Sequence, residues 1–343
     1  MPVDIGYKIE KIKMPNVTVL MACYNASGYL SEAVKSILAQ TYSDYEFIIV
    51  NDGSTDSTLD MVKGYAAQDG RIVVISKNNT GLPDSLNKGL GVAKGNWIAR
   101  LDADDIALPN RLARQIAYVE EYPSTVLVGT GCTLIDVLGQ ASRNYQYPIR
   151  HDLLVRQIRN GGSPFPHSSA FFRRETAIQL GGYNRRFVRS QDVDLWLRLS
   201  DVGKIACLPE SLVQIRRHDA NISDHNSGPT QTIMGMAARV CSFIRSMGKS
   251  PPSQDDDVVW NRFIEWLSER LGKESYCETR RQWSNLRQQH LSYVKQGRKL
   301  QGAFKLAAKL LFSGCVFQII HSRILDSRLP LRLAQDWTRI YPN

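Results

Sequence analysis

The chain is organised around the stretch Trp97-Ile98-Ala99-Arg100-Leu101-Asp102-Ala103-Asp104-Asp105. An apolar run ends there in three carboxylates, and Pro109 follows soon after. The pattern predicts a buried strand over Trp97–Leu101 whose C-terminal end brings the acids together. Crowded carboxylates repel one another unless a hard divalent cation binds their oxygens or water surrounds them. Taken alone, the stretch fits a metal site as well as a solvated acidic turn that caps a helix starting near Pro109.

The residues before this strand repeat one pattern, an apolar run followed by a short amphipathic segment. The predicted strands are Val17–Ala22, Phe47–Val50, Arg71–Ser76 and Trp97–Leu101. The predicted helices between them are Ser31–Gln40, with Ser31 as its N-cap, Thr58–Ala67 and Asp84–Ala93. Strands that alternate with helices of this length indicate a Rossmann-like, doubly wound and mostly parallel α/β sheet.

Polar residues follow the ends of these predicted strands. Tyr24, Asp52 and the acids at 102–105 all do so, and we expect them to line one cleft because ligands bind at the carboxyl ends of parallel strands. The turn Cys23–Gly28 lacks G-x-G-x-x-G, which counts against hydride chemistry with a nicotinamide cofactor. Taken alone, Asp52 also fits a turn and capping acid beside Gly53, and Tyr24 also fits ordinary loop packing.

The pattern changes after residue 148. The sequence predicts a loop over Asn160–His167, which is rich in Gly and Pro, and a short strand over Ser169–Arg173. A helix then starts with Ser190 as its predicted N-cap and is closed by Gly203. Two further strands are predicted over Ile205–Leu208 and Leu212–Ile215.

The helix after Ser190 carries two acids in its first turn, Asp192 and Asp194. A transfer reaction needs a base for the incoming hydroxyl, and a base must be held rigidly within reach of the proton it takes. Asp192 is our candidate for this base, and Asp194 is the second choice. Taken alone, Asp192 fits better as a carboxylate that complements the positive end of the helix dipole.

The basic charge of the chain is concentrated in its last third. Of the net charge of +10, residues 231–343 carry +9, with 18 Lys and Arg against 9 Asp and Glu. Helices are predicted there over about 230–247, 257–271, 278–296 and 302–320. The surplus attracts polyanions, either nucleic acid or an anionic membrane face. The last helix is too charged and too short for a membrane span, and fits either an interfacial helix or one packed on its neighbours.

The N-terminus and the cysteines indicate the compartment. Residues 1–14 contain no apolar h-region of a secretory signal, so we expect a cytoplasmic protein. The cysteines are scattered, without a C-x-x-C pair or the spacing of metal ligands: Cys23, Cys132, Cys207, Cys241, Cys277 and Cys315. This distribution predicts reduced thiols and argues against a zinc site or a disulfide framework.

Five motifs in order resemble the successive signatures of family 2 glycosyltransferases with the GT-A fold. They are Val17–Asn25, Asn51–Asp56, Leu86–Gly89, Ala93–Asp105 and Gln191–Arg198. The likeness covers about residues 15–223 and implies an inverting transfer of a sugar from a nucleoside diphosphate donor. Two positions depart from the family pattern: Gln191 stands where Glu is common, and Leu86 stands where many relatives carry Arg toward the diphosphate.

The resemblance also implies a role for each site residue. Those implied for the donor are Ala22, Tyr24, Asn25, Asp52, Asp102 and Ala103. Asp104 is the favoured direct ligand of Mn²⁺ or Mg²⁺, and His218 matches a position that helps to hold the metal or the diphosphate. Asp192 is the implied base.

These observations predict a GT-A domain over 15–225, with a donor half of about 15–110 and an acceptor half of about 111–225, followed by a basic helical region over 226–343. The leading hypothesis is transfer of one hexose, with UDP as the default nucleotide, to a lipid-linked or other surface-glycan precursor at the cytoplasmic membrane face. A processive synthase is disfavoured because the sequence has neither membrane spans nor a Q-x-x-R-W element.

Two alternatives stay open from the sequence. A non-catalytic module would bind nucleotide sugar or a polyanion without turnover. The intact acids of the candidate site speak against this alternative. Nucleic-acid binding through the basic tail would need the interleaved aromatics of a stacking platform, which the tail lacks, so we expect no nucleic-acid partner.

Overall fold

The computed structural model describes residues 15–218, 228–271 and 328–342. The strands are β1 Val17–Cys23, β2 Tyr45–Asp52, β3 Ile72–Lys77, β4 Trp97–Arg100, β5 Ile106–Ala107, β6 Thr125–Ile135, β7 Ala141–Tyr145, β8 Phe171–Arg173 and β9 Lys204–Arg216. The helices are α1 Leu30–Leu38, α2 Thr58–Ala66, α3 Leu82–Val92, α4 Arg111–Glu121, α5 His151–Arg159, α6 Arg174–Gln179, α7 Gln191–Val202, α8 Gly228–Ser246, α9 Asp257–Arg270 and α10 Leu329–Ile340.

The described strands form one nine-stranded sheet in the order β3-β2-β1-β4-β8-β6-β9-β5, with β7 beside β6. The first four strands of this order are parallel to one another, and β6 and β9 are parallel to each other. The short strand β8 is antiparallel to both β4 and β6, so β4 and β6 run in the same direction. A mixed α/β fold with a mostly parallel sheet is confirmed.

The central strand β1 shows why the sheet is covered on both faces. All seven of its residues are buried, and alternate side chains point to opposite faces of a strand. Leu20 and Ala22 belong to a hydrophobic cluster that includes residues of α3, α7, α8, α9 and α10. Val17, Val19 and Met21 belong to a second cluster with α1 and α4. A continuous apolar run is what a strand buried on two faces requires.

The strands and helices predicted up to residue 101 are all present, and none of their ends is shifted by more than two residues. The N-cap of α1 was predicted wrongly, because the helix starts after Tyr29 and Ser31 lies inside it. The Ser31 hydroxyl lies 2.7 Å from the Tyr65 hydroxyl and therefore joins α1 to α2.

The two strands predicted on either side of Pro209 are one strand, β9. Its pairing with β6 steps from Leu208 opposite Thr130 to Ser211 opposite Gly131, so Pro209 and Glu210 form a bulge. A Cβ atom on Gly131 would lie about 3 Å from the carbonyl oxygens of both bulge residues. The glycine lets the bulge sit against β6, and for that reason Pro209 bends the strand without ending it.

Several elements between residues 106 and 179 were not predicted, namely β5, β6, β7, α5 and α6. The helix near Pro109 exists as α4, so the acidic turn does precede a helix. In the basic region, the first two predicted helices are confirmed as α8 and α9. The helices predicted over 278–296 and 302–320 lie outside the described residues. Within the described ranges, no helix is both long and apolar enough to span a membrane.

Candidate active site

The carboxyl ends of β1, β2 and β4 and the start of α7 open onto one cleft of about 1940 Å³. Pockets for a single drug-sized ligand are about 300–1,000 Å³, so this cleft has room for two substrates. It is lined by nine of the residues predicted for the site, although not by Asp194, the second choice for the base: Ala22, Tyr24, Asn25, Asp52, Asp102, Ala103, Asp104, Asp192 and His218. The topology therefore brings them together as expected, although their individual roles stay predictions.

Asp52 lies at the end of β2 and lines the cleft. Its carboxylate accepts hydrogen bonds from the backbone N–H groups of Thr80 and Gly81, both at 3.0 Å. It also forms an ion pair with Lys77. Although burial opposes ionisation, the hydrogen bonds from Lys77 and Thr80 lower the pKa of Asp52. This carboxylate is thus a fixed, ionised hydrogen-bond acceptor.

The loop after β1 presents Tyr24 to the cleft with about half of its surface exposed. Asn25 adopts a left-handed conformation with φ 47°. Its side-chain oxygen accepts a hydrogen bond from the backbone N–H of Thr55 at 2.8 Å, and its own N–H donates to the Ser54 hydroxyl at 3.0 Å. The Asn25 side chain therefore ties two strand-end loops together beneath the exposed Tyr24 ring.

All three carboxylates after β4 have hydrogen-bond or ion-pair partners. Asp102 is paired with the buried Arg100 and accepts a hydrogen bond from the Ser168 hydroxyl at 2.8 Å. Asp104 lies 3.0 Å from Nε2 of His218. Asp105 accepts the backbone N–H of Arg216 at 2.9 Å and also contacts Ser168. The acidic turn is therefore built into the protein and is not simply solvated.

The three acids differ in their electrostatics. Burial and the neighbouring Asp102 raise the pKa of Asp104, and burial with both neighbours raises the pKa of Asp105 well above its usual range. Burial opposes ionisation of Asp102 as well, but the Arg100 guanidinium, His167 and the Ser168 hydroxyl together outweigh it and lower the pKa of that carboxyl. A negative charge is thus concentrated at Asp102, beside carboxylates that an additional cation would stabilise.

Arg216 supports the acidic turn from the end of β9 and was missed as a site residue. Its Nε donates to the backbone oxygen of Asp104 at 3.1 Å, and its Nη2 lies 2.8 Å from the Glu32 carboxylate. Its guanidinium lies 4.8 Å from the centre of the Tyr29 ring, which also stacks on His218 at 4.8 Å. The dibasic sequence before His218 was the only available signal, and it does not show that Arg216 is buried.

The donor set of the acidic turn fits a hard divalent cation that is shared with a substrate. Asp104 supplies a carboxylate and His218 an imidazole at the rim of the cleft, with Asp102 two residues away. Among the described residues, no group of three or more His, Cys, Asp or Glu side chains could hold a metal ion by itself. Cations such as Mg²⁺ are commonly held by one or two carboxylates, with substrate phosphates completing the coordination.

Asp192 lies in the first turn of α7 and lines the cleft. Burial raises the pKa of its carboxyl. The predicted N-cap Ser190 stands at the right position but does not cap, because it is left-handed at φ 57° and its hydroxyl accepts a hydrogen bond from Gln231 at 2.9 Å. Asp194 is fully buried and is held by the Arg198 Nε at 2.9 Å, so it is a structural group.

The two positions that depart from the family pattern are both buried. Leu86, on α3, is fully buried in the hydrophobic core and does not line the cleft. Gln191 is almost fully buried. The arginines that do line the cleft are Arg189, Arg216, Arg217 and Arg239. They place positive charge along the cleft, whereas Leu86 supplies none.

His167 also lines the cleft, although its loop was predicted without a functional role. Its Nε2 lies 3.0 Å from the Tyr183 hydroxyl. Burial and the nearby Arg100 lower the pKa of His167 to about 3, so the ring is neutral at neutral pH. The Gly- and Pro-rich composition that marked the loop carries no sign of this contact.

Comparison with known proteins identifies relatives of this site and fold. Residues 18–181 match the family model described as Glycosyl transferase family 2. The chain is 37% identical to the putative glycosyltransferase EpsE of Bacillus subtilis, over 59% of this chain and 73% of that protein. It is 33% identical to the O-antigen biosynthesis glycosyltransferase WbnJ of Escherichia coli, over 59% of this chain and 80% of that protein.

A solved structure extends the comparison to the fold. S. aureus TarS 1–349 in complex with UDP-GlcNAc superposes with a TM-score of 0.56 at 15% identity, over 94% of this chain and 92% of that chain. This likeness, at low identity, concerns the fold and confirms the GT-A architecture. The family model and the sequence relatives, of which the chain covers 73% and 80%, show that the chain belongs to glycosyltransferase family 2.

Proposed function

We propose that the chain is an inverting, metal-dependent hexosyltransferase that uses a nucleoside diphosphate sugar, with UDP as the default nucleotide. The acceptor in this proposal is a hydroxyl of a lipid-linked or other surface-glycan precursor. The observation that carries the proposal is the meeting of Asp52, the acids after β4 and Asp192 in one cleft. O-antigen biosynthesis in the name of WbnJ, and UDP-GlcNAc in the TarS complex, favour this donor and acceptor class.

In this proposal the donor nucleoside binds between Tyr24 and Asp52. The exposed Tyr24 ring offers a flat face to the base, and ionised Asp52 accepts hydrogen bonds from base or ribose. Ala22, Asn25 and Ala103 contribute backbone and small side chains to the same wall of the cleft. Asp104 and His218 would hold Mn²⁺ or Mg²⁺ near Asp102, and such a cation, when bound, stabilises charge on a departing diphosphate.

Asp192 acts as the general base in the proposed transfer. Its carboxylate takes the proton of the acceptor hydroxyl while the acceptor oxygen forms a bond to the anomeric carbon. The bond from that carbon to the diphosphate oxygen breaks, and the nucleoside diphosphate leaves with the electron pair. Because attack and departure occur on opposite faces, the anomeric configuration inverts. A pKa raised by burial makes Asp192 a stronger base than an exposed aspartate.

The test is release of nucleoside diphosphate by the purified full chain. UDP-, dTDP- and GDP-sugars would be supplied with Mn²⁺, with Mg²⁺ or with EDTA, in the presence and absence of a lipid-diphosphate saccharide. We expect release with one donor class that rises with the acceptor, and that is lost with EDTA and in Asp104→Ala. Asp152→Ala, which changes an exposed carboxylate, is the matched control.

The outcomes separate the hypotheses. Acceptor-stimulated release that persists in EDTA would refute metal dependence, and retention of configuration in the product would refute inversion. Donor binding without release, whether or not the lipid-diphosphate saccharide is present, would favour the non-catalytic module. A folded protein that binds none of the donors would refute the proposal as a whole.

We also propose that the chain divides at about residue 225 into the GT-A domain and a basic helical region, 226–343, that binds an anionic membrane face at the cytoplasmic side. The +9 charge of residues 231–343 supports this proposal. The full chain should sediment with vesicles of mixed phosphatidylglycerol and phosphatidylcholine, and salt should release it because surface charges are screened. Equal binding to pure phosphatidylcholine vesicles would contradict it.

A further inference from the structure

One polar group in the cleft has no part in the mechanism above, the imidazole of His167. Its Nε2 is engaged by the Tyr183 hydroxyl at 3.0 Å, while no hydrogen bond to Nδ1 occurs among the described residues. The ring is partly buried and lines the cleft. It therefore presents a neutral nitrogen to whatever occupies the cleft at this point.

The orientation of the His167 ring is fixed by its contact with Tyr183. Tyr183 is almost completely buried, and its backbone is clamped by the Asn87 side chain of α3. The Asn87 amide donates to the Tyr183 carbonyl at 2.6 Å and accepts the Tyr183 N–H at 2.8 Å. A side chain held by such a chain of contacts is pre-organised, so a ligand that binds it loses little additional entropy.

The His167 ring lies between the acidic turn and the start of α7. On one side, the next residue, Ser168, is hydrogen-bonded to Asp102 at 2.8 Å. On the other side, the ring packs edge-on against Trp196, with 5.9 Å between ring centroids. Trp196 lies four residues after Asp192 in α7 and therefore on the same face of the helix. His167 thus occupies the floor between the acidic turn and the candidate base.

We propose that His167 is a specificity-determining residue that binds a hydroxyl of the transferred sugar through Nδ1. The inference rests on the proposed function, because in an inverting transfer the sugar must lie between the departing diphosphate and the base. These two are placed at the acidic turn and at Asp192. The floor of the cleft between them consequently faces the sugar ring, and the nucleoside and the diphosphate lie elsewhere.

The test compares affinities of the full chain, with Mn²⁺, for UDP and for UDP-glucose, UDP-galactose, UDP-N-acetylglucosamine and GDP-mannose. Two substitutions separate the contribution of Nδ1 from that of the ring as a whole. His167→Asn keeps a polar atom near the Nδ1 position, and His167→Phe removes both nitrogens. A neutral hydrogen bond is worth about 3- to 10-fold in affinity. We expect His167→Phe to weaken the preferred nucleotide sugar by about that factor, with UDP affinity unchanged and His167→Asn close to wild type.

Tyr183→Phe separates binding from folding, because it keeps the packed ring and removes only the hydroxyl that fixes His167. We expect a smaller loss in nucleotide-sugar affinity, about 2- to 3-fold, and no further loss when it is combined with His167→Phe. Equal weakening of UDP and of nucleotide sugar by His167→Phe, or no weakening, would overturn the inference while the wild type still binds donor. Absence of donor binding in the wild type would refute the proposed function and this inference with it.

Discussion

The carboxylates at the two ends of the cleft differ in whether other side chains hold them. After β4, Asp102, Asp104 and Asp105 all have hydrogen-bond or ion-pair partners, including the side chains of Arg100, His218 and Ser168. At the start of α7, no side chain in the described ranges donates a hydrogen bond to Asp192.

The difference shows what each end is suited to do. Carboxylates whose lone pairs are engaged and whose positions are fixed can bind a charged ligand with little rearrangement. A carboxylate that must take a proton needs an accessible lone pair and a pKa that is not lowered by an ion pair. The same contrast is repeated within α7, where Asp194 is paired with Arg198 and Asp192 is not.

The largest effect should follow from changing the unpaired acid. Asp192→Asn keeps the shape of the side chain but removes its basicity, and we expect kcat to fall by about 10²- to 10⁴-fold. Donor binding measured by calorimetry should change little, because the substitution acts on the transition state. A fall of less than tenfold in kcat would exclude Asp192 as the base.

Breaking the buried ion pair of Asp194 and Arg198 in the same helix should lower the stability of the protein. Asp194→Ala leaves the Arg198 guanidinium, which is nearly enclosed, without its carboxylate, and we expect a loss of about 3–5 kcal/mol in the free energy of unfolding. The exposed pair of Arg150 and Asp152 is the control, and Asp152→Ala should cost less than about 1 kcal/mol. Urea denaturation measures both, and equal losses would contradict the distinction between buried and exposed pairs.

The pH dependence of kcat/KM should identify Asp192, because burial raises the pKa of its carboxyl. Because burial raises the pKa of Asp192 and the base must be ionised, kcat/KM should rise with pH along a limb centred above the usual aspartate value. Below that pKa the rate should fall about tenfold per pH unit, as the protonated fraction grows. The limb should be absent from the residual activity of Asp192→Asn. A limb that persists unchanged there would assign it to another group.

The smallest effect should come from the rim of the acidic turn. Glu32 pairs with Arg216, but its side chain is 55% exposed, and Arg216 keeps its bonds to the Asp104 and Asp136 backbone oxygens. Glu32→Gln should therefore cost less than about 1 kcal/mol in unfolding free energy. Mn²⁺-dependent activity should stay within twofold of wild type. A larger loss would mean that the turn depends on its exposed partner.

The alternating half of the fold was predictable because each element there carries its own apolar period. In α4 that signal is masked, since Arg111 and Gln115 occupy core-facing positions four residues apart, where a helix normally places apolar groups. Strand β7 is mostly polar and has no buried residue, and β8 has only three residues. Short or polar elements of this kind are stabilised by their neighbours in the sheet and have little propensity of their own.

The sequence by itself determined the order of the strand ends and therefore which acids share a cleft, because parallel connections deliver every carboxyl end to one edge of the sheet. Only the tertiary structure decided which of those acids are paired. The backbone N–H of Arg216 reaches Asp105 across 111 positions of the chain, and the Ser168 hydroxyl reaches Asp102 across 66. Contacts of that range leave no local pattern, and they decide the difference between a carboxylate with fixed partners and the proposed base, Asp192.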